Sequence, residues 1–323
     1  MGRHAAASAI ADVLRAASSV VIGSHVDPDG DAVGSSLALA LALGRSSVPC
    51  ELVAAQGAEC PITYAFLPAA CRYRSAEVLD PPAVFVSLDA PNLDRLGAGR
   101  ALAERAGTLI VVDHHPDAVS AGVLNLIDPA APATGVLVYD IIRALGVTLD
   151  IDIATCLYTA LVTDTGRFSH SNTGPEAFAV AGELVAAVVH PNAIVSAVYE
   201  NRSLGALSLT GRVLERLTLA NGGAVAYSWL APGDMTETGV SHAETENLID
   251  QVRAIGGVEV VFLVKLDVET ARVSLRAKGA TDVGAVARTF GGGGHRPAAG
   301  FTVRASLDEV LASLLPQLPG GAR

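Results

Sequence analysis

The stretch Thr108-Leu109-Ile110-Val111-Val112-Asp113-His114-His115-Pro116 is an apolar run that ends on an aspartate and two adjacent histidines. Thr108 to Val112 reads as a strand buried on both faces, the kind found in a parallel sheet covered by helices. Such a strand ordinarily stops at a turn residue, so three polar groups at its end mark a place where chemistry is offered. Side chains alternate along an extended backbone, and His114 and His115 therefore point to different sides. One imidazole can reach a metal while the other faces a substrate.

Working outward, Ser19 to Gly23, Glu51 to Ala55 and Ala83 to Leu88 carry the same apolar signature. Helical patterns separate these strands, at Gly34 to Leu43, Gly99 to Ala106 and Gly135 to Leu145, after a first amphipathic helix within Met1 to Ala17. Alternating strand and helix predicts an α/β fold with a doubly wound, mainly parallel sheet. From Ile151 the texture turns helical, with Ala154 to Val162, Pro175 to Val189 and Ala193 to Tyr199, and a further helix ends near Leu219. Beyond it the Asn221-Gly222-Gly223 turn and a strand from Ala224 to Leu230 open a smaller mixed-sheet α/β domain. That domain is expected to hold a helix over Ala243 to Ala254, strands Val258 to Leu266 and Ala271 to Ala277 about the turn Asp267 to Thr270, and a helix near Val283 to Thr289. The expected organisation is thus a catalytic domain over residues 1–190, a helical connector over 191–219 and a second domain over 220–323.

Half of the 323 residues are hydrophobic, ample for a core in each domain. Cys50, Cys60, Cys71 and Cys156 lack C-x-x-C spacing and read as reduced packing thiols of a cytoplasmic protein. Apolar runs such as Leu37 to Leu43 are too short to span a bilayer, so no membrane partner is expected. The net charge of -11 argues against a protein that coats long duplex nucleic acid, but not against small anionic substrates held locally by metal ions and glycine-rich backbone.

Three strand ends bring acids or histidines to one sheet edge, where open parallel sheets bind ligands. His25, Asp27, Asp29 and Asp31 crowd the loop after the first strand, and Asp89 closes the strand before Asp113-His114-His115. Asp164 adds a carboxylate in a glycine-containing turn. Each aspartate alone is an ordinary cap or turn residue. Converging, His25, Asp29, Asp31, Asp89, His114 and Asp164 supply two imidazoles and four carboxylates, enough for two metals sharing a bridging carboxylate. Oxygen and imidazole donors without thiolate favour Mn²⁺, Mg²⁺ or Zn²⁺. Such a pair suits in-line phosphoryl displacement, with no protein nucleophile required. No G-x-S-x-G elbow and no G-x-G-x-x-G after the first strand compete with this reading.

In the second domain, Phe290-Gly291-Gly292-Gly293-Gly294-His295-Arg296-Pro297 lets backbone N–H groups approach an anion. Between Ala271 and Arg304 the chain carries six basic residues, Arg272, Arg276, Lys278, Arg288, Arg296 and Arg304, against the single acid Asp282. This is an anion-attracting patch on an acidic protein.

Taken in order, His25-x-Asp27-Pro28-Asp29-Gly30-Asp31-Ala32, Asp89, Asp113-His114-His115-Pro116, Asp164-Thr165-Gly166 and Gly291-Gly292-Gly293-Gly294-His295 resemble the DHH phosphoesterase family over nearly the whole chain. The C-terminal part resembles the DHH-associated domain. Within the family the pattern is most like the bacterial nanoRNase and pAp phosphatase group. The resemblance implies that His25 and Asp29 hold one Mn²⁺, that Asp31, His114 and Asp164 hold the other, and that Asp89 bridges them. It further implies that His115 faces the scissile phosphate, that Asp113 supports the histidines, and that Arg276, Gly292, Gly293, Gly294 and His295 grip the nucleotide. Arg296 departs from the family pattern, in which proline often follows the histidine directly.

The expected function is a Mn²⁺-dependent phosphodiesterase and phosphomonoesterase working in a cleft between the domains, with Mg²⁺ or another divalent ion as substitute. Its substrates would be short oligoribonucleotides cut from the 3' end, 3'-phosphoadenosine 5'-phosphate, and cyclic or linear di-adenylates. A homodimer is expected from the resemblance. The alternatives are a family II type inorganic pyrophosphatase or exopolyphosphatase, against which the glycine-histidine run speaks, and a non-catalytic nucleotide sensor.

Overall fold

The computed structural model describes residues 2–245 and 248–321. The chain divides into two units, Met1–Glu200 and Asn201–Arg323.

The first unit is built on six parallel strands, β1 (Val20–Gly23), β2 (Cys50–Val53), β3 (Tyr73–Arg74), β4 (Val84–Leu88), β5 (Thr108–Asp113) and β6 (Leu124–Ile127). Their order in the sheet is β3-β2-β1-β4-β5-β6. The chain leaves β1 toward one edge and returns to β4 to build the other, so the topological switch point lies between β1 and β4. In a doubly wound sheet the crevice at the carboxyl ends of those two strands is where ligands bind.

Among the described residues seven α-helices accompany this sheet: α1 (Arg3–Ala16), α2 (Gly30–Arg45), α3 (Arg100–Arg105), α4 (Thr134–Ala144), α5 (Ile151–Asp164), α6 (Pro175–Ala186) and α7 (Pro191–Tyr199). Strand alternation explains why both sheet faces are dry. Val20 and Ile22 of β1 and Val84, Val86 and Leu88 of β4 join the large core with α1, α2, α4 and α5, whereas Val21 and Phe85 pack with Leu96, Leu102 and Ala103 on the opposite face. Helix α2 lies directly on α5, because a Cβ at Gly34 would stand 2.4 Å from the Cys156 carbonyl oxygen. The expected helix from Gly34 starts four residues earlier, because Asp29 caps it by accepting from the Asp31 and Ala32 amides. Strands β3 and β6 are absent from the sequence reading; each is short and lies at a sheet edge, where no long apolar run is needed.

The second unit carries a mixed sheet of β7 (Thr218–Ala220), β8 (Val225–Leu230), β9 (Val260–Leu266), β10 (Ala271–Ala277), β11 (Gly293–Gly294) and β12 (Ala298–Val303). The order is β11-β12-β10-β9-β8-β7, with β8 and β9 parallel and every other pair antiparallel. Its helices are α8 (Leu204–Glu215), α9 (Asp234–Thr238), α10 (Leu248–Arg253), α11 (Val283–Thr289) and α12 (Leu307–Leu314). One face packs α11 and α12 on Phe262, Val273 and Leu275; the other packs α8 and α10 on Ala226, Val261 and Leu263. The helix expected to end near Leu219 stops at Glu215, since Thr218 to Ala220 pairs with β8 as an edge strand. The helix expected over Ala243 to Ala254 crosses residues 246–247, which lie outside the described residues; Leu248–Arg253 is helical. No single helix among the described residues is long and apolar enough to cross a membrane.

Candidate metal centre

Two helix N-termini, three strand ends and the end of α5 assemble a largely buried cluster at the switch point of the first sheet, with Asp29 exposed and Asp164 half-buried. After β1 the chain delivers His25, then Asp29 as the cap of α2 and Asp31 in its first turn. After β4 comes Asp89, whose backbone turns off the strand at φ 55°, a left-handed conformation that aspartate tolerates better than most residues. Strand β5 ends on Asp113, followed by His114 and His115, and α5 ends on Asp164.

The cluster falls into two halves that meet at Asp89. His25 Nε2 lies 3.8 Å from Asp29 Oδ1 and 3.6 Å from Asp89 Oδ2. His114 Nε2 lies 3.9 Å from Asp31 Oδ2, 3.8 Å from Asp164 Oδ2 and 3.8 Å from Asp89 Oδ1. One oxygen of Asp89 thus faces each histidine. Within the His25–Asp29–Asp89 group, and within the Asp31–His114–Asp164 group, donor atoms lie within 4.8 Å of one another.

The histidines are oriented from behind. His25 Nδ1 donates to the Val26 carbonyl at 2.8 Å and His114 Nδ1 to the Ala131 carbonyl at 3.2 Å. A carbonyl can only accept, so each Nδ1 carries the proton and each Nε2 is left to face the carboxylates. Asp31 is fixed by the start of α4, accepting from the Thr134 amide at 2.6 Å, the Gly135 amide at 2.8 Å and the Ser35 hydroxyl at 2.9 Å. The Thr134 hydroxyl donates to Asp89 Oδ1 at 2.9 Å. Asp164 accepts from the Asn172 amide at 2.9 Å.

Burial, and then the neighbouring Asp89 and Asp164 carboxylates, hold the Asp31 carboxyl well above its usual range. Burial pushes Asp164 up to about 7. For the histidines burial disfavours the charged ring, but facing carboxylates outweigh it: Asp29 and Asp89 raise His25 well above normal, and Asp164, Asp31 and Asp89 raise His114 to about 9. Asp89 is also buried, yet the His25 hydrogen bond and the His115 charge keep it below the usual carboxylate range. The cluster therefore holds more negative charge than its own residues neutralise without taking up protons. Carboxylate oxygens and carbonyl-braced imidazoles are hard and borderline donors, and the set fits divalent cations.

His115 borders the shared carboxylate, its Nδ1 3.5 Å from Asp89 Oδ1. Its backbone amide and its Nδ1 both donate to Asp113 Oδ1 at 2.7 Å, and its ring meets that of His114 edge-on with centroids 5.0 Å apart. Asp113 is completely buried. Burial disfavours a charged His115, but the Asp113 hydrogen bond and the Asp89 charge leave its pKa raised.

The remaining sequence candidates lie in the second unit. Arg276 is on β10, paired in register with Ala298, while Gly294 pairs with Ala299. One strand separates them, so Arg276 and His295 sit at the same part of the sheet, about 10 Å apart by strand spacing. The Arg276 guanidinium donates to the Leu275 carbonyl at 3.0 Å, and burial lowers its pKa. No ion pair joins it to a carboxylate among the described residues. The glycine run is a packed turn: a Cβ at Gly292 would stand 2.2 Å from the Gly300 oxygen, and Gly294 adopts φ 130°. Arg296 has a structural part in it, donating to the Ala280 carbonyl at 2.6 Å while its own carbonyl accepts from the Val283 amide.

Sequence reading missed Thr134, Gly135 and Asn172. The Thr-Gly before an apolar helix was legible as a helix start; that this start lies on Asp31 is a long-range fact. Asn172 carried no signal.

Two family matches account for both units. The DHH family, N-terminal domain, matches residues 19–161, and the DHHA1 domain matches residues 222–318. The chain is 34% identical to the bifunctional oligoribonuclease and PAP phosphatase NrnA of Thermus thermophilus, over 95% of this chain and 91% of that one. It is 28% identical to the protein of the same name from Bacillus subtilis, over 91% and 93%. The crystal structure of an exopolyphosphatase-related protein from Bacteroides fragilis superposes with a TM-score of 0.88 at 24% identity, covering 95% of this chain and 94% of that one, and so shares the fold. With a largely buried acidic and imidazole cluster at its switch point, a DHH domain and a DHHA1 domain in succession, the chain belongs to the DHH family of metal-dependent phosphoesterases.

Proposed function

We propose that this phosphoesterase hydrolyses short oligoribonucleotides from the 3' end, converts 3'-phosphoadenosine 5'-phosphate to AMP, and accepts linear or cyclic di-adenylates, with two Mn²⁺ ions as cofactor. The observation that carries the chemistry is Asp89, whose two oxygens face His25 and His114 separately and so suit a carboxylate shared by two cations. His25, Asp29 and Asp89 would hold one ion, and Asp31, His114, Asp164 and Asp89 the other. Two such ions supply a Lewis-acid clamp on the entering and leaving oxygens of an in-line phosphoryl displacement.

The chain's own residues do the rest. Asp113 holds His115 at Nδ1 and favours its protonated form, so His115 Nε2 offers a proton toward the oxygen that leaves phosphorus. Thr134, Gly135 and Ser35 hold the cluster's carboxylates in place, so little reorganisation accompanies the reaction. In the second unit, the half-buried Arg276, which forms no ion pair among the described residues, the glycine turn and His295 support recognition of a nucleotide phosphate. The substrate class follows the names of the full-length relatives, oligoribonuclease and PAP phosphatase. Likeness to the exopolyphosphatase-related protein supports the fold alone.

The test is a kinetic comparison on one manganese-loaded preparation, with a short RNA, 3'-phosphoadenosine 5'-phosphate, cyclic and linear di-adenylate, and pyrophosphate. Hydrolysis of the nucleotides with little phosphate released from pyrophosphate is expected. Pyrophosphate turnover well above that of every nucleotide would overturn the reading.

A further inference from the structure

Asp164 occupies the least favourable place in the cluster. Asp29 and Asp31 sit at the start of α2, where the helix dipole favours negative charge, but Asp164 is the last residue of α5, where the dipole opposes it. Among the described residues no helix N-terminus and no threonine hydroxyl holds it. What reaches it comes from eight residues further along the chain.

The path back is strained and heavily braced. Gly166, Arg167 and Phe168 adopt φ 55°, 60° and 62°, three successive left-handed residues that reverse the chain. A non-glycine residue in this conformation is strained, so it persists only where the surroundings enforce it. Phe168 is gripped by a stack on Phe178, centroids 5.3 Å apart, and an edge contact with Tyr158 at 6.2 Å. The His170 ring fills the space that a side chain at 166 would need, 2.2 Å from an ideal Cβ there, and its Nδ1 meets the Asp164 carbonyl at 3.2 Å.

The turn delivers the Asn172 amide. Its Nδ2 donates to Asp164 Oδ2 at 2.9 Å and to the Pro132 carbonyl at 2.9 Å, with a longer contact to the Asp164 carbonyl at 3.3 Å. Asp164 Oδ2 is the oxygen nearest His114 Nε2. Every group facing Nδ2 is an acceptor, so the flipped amide would set oxygen against three oxygens, and the orientation is forced. Asn172 Oδ1 is buried and has no hydrogen-bond partner among the described residues, so the donor side fixes the residue.

We propose that Asn172 is the positioning residue for Asp164. It aims the carboxylate toward His114, and the Asp31–His114–Asp164 half of the cluster depends on it for cation affinity while the His25–Asp29–Asp89 half does not. This rests on the two-cation reading above.

The test is calorimetric titration of metal-free protein with Mn²⁺ alone, for the unsubstituted chain and for Asn172→Ala, alongside urea midpoints without metal. Asn172→Ser takes the place of the alanine variant if that does not fold. The expected result is two Mn²⁺ equivalents in the unsubstituted chain, with one of them weakened about 10- to 100-fold in the variant and the other unchanged. Raising Mn²⁺ should then restore most of kcat. Two unaltered affinities in the variant would overturn the assignment, as would both weakening together in step with a lowered urea midpoint. If the unsubstituted chain takes up fewer than two equivalents, the two-cation reading itself fails, and the assignment with it.

Discussion

The Thr134 hydroxyl donates to Asp89 Oδ1 across 2.9 Å, in a site where both residues are buried. The same residue's backbone amide holds Asp31, so the first residue of α4 braces two carboxylates, one from the first turn of α2 and one from the end of β4. Thr134→Val keeps the volume and the amide but removes the hydroxyl. Activity at limiting Mn²⁺ should fall about 10- to 100-fold and recover at high Mn²⁺, as expected when a hydrogen-bond partner of a metal ligand is lost. A metal titration of initial rates decides it; an unchanged half-saturating Mn²⁺ would refute the role.

Asp89→Ala removes the only carboxylate that, among the described residues, faces both His25 and His114. Turnover should fall on the order of 10⁴-fold or more, as when a member of a catalytic unit is deleted. Near-normal manganese-dependent hydrolysis of a short RNA by this variant would sink the metal assignment.

Asp113→Asn preserves shape but weakens the grip on His115 Nδ1. If His115 supplies the proton at the leaving oxygen, kcat should drop by about 10² to 10⁴, with smaller effect on KM, and His115→Ala should match it. Additive losses in the double variant would argue that the two residues do not act through one another.

Asp234 is a structural counterpart in the second unit. It caps a network with Arg212 at 2.8 Å and with Arg216, and also accepts from the Ala231 amide at 2.7 Å. The Arg216 hydrogen bond, opposed by burial and joined by Arg212, holds its carboxyl below the usual range. A carboxyl whose folded pKa is depressed stabilises above its unfolded value, so this contribution is complete above about pH 4 and is lost as pH falls further through the folded value. Asp234→Asn should destabilise the protein at neutral pH and should flatten the acid limb of the stability curve. Urea melts between pH 3 and 7 measure both; parallel acid limbs would contradict the assignment.

Gly292→Ala places a methyl group 2.2 Å from the Gly300 oxygen and 2.5 Å from Phe301 Cβ. The strand pair β11–β12 must move, at a cost of about 1 to 3 kcal/mol. Thermal melting should show the loss, whereas Gly293→Ala, which meets nothing within 4 Å, should melt like the unsubstituted chain.

By itself the sequence determined the parallel sheet and the set of cluster residues. Val20 to Ile22, Val84 to Leu88 and Leu109 to Val112 are mostly apolar on both faces because helices cover both, and that burial is written as runs rich in Val and Ile. The acids and histidines that interrupt these runs at their ends were legible for the same reason. Tertiary structure alone decided how those groups are held. Thr134 comes 45 residues after Asp89 in the chain and Gly135 comes 104 after Asp31, and contacts over such separations leave no periodic trace. Asn172 is nearer, but it meets Asp164 only because three left-handed residues fold the chain back, a conformation whose cost is offset by packing at Phe178 and His170 rather than by local preference. The clustered acids and histidines are matters of residue type and of position at strand and helix ends; their orientation depends on which helix start or turn is packed behind them.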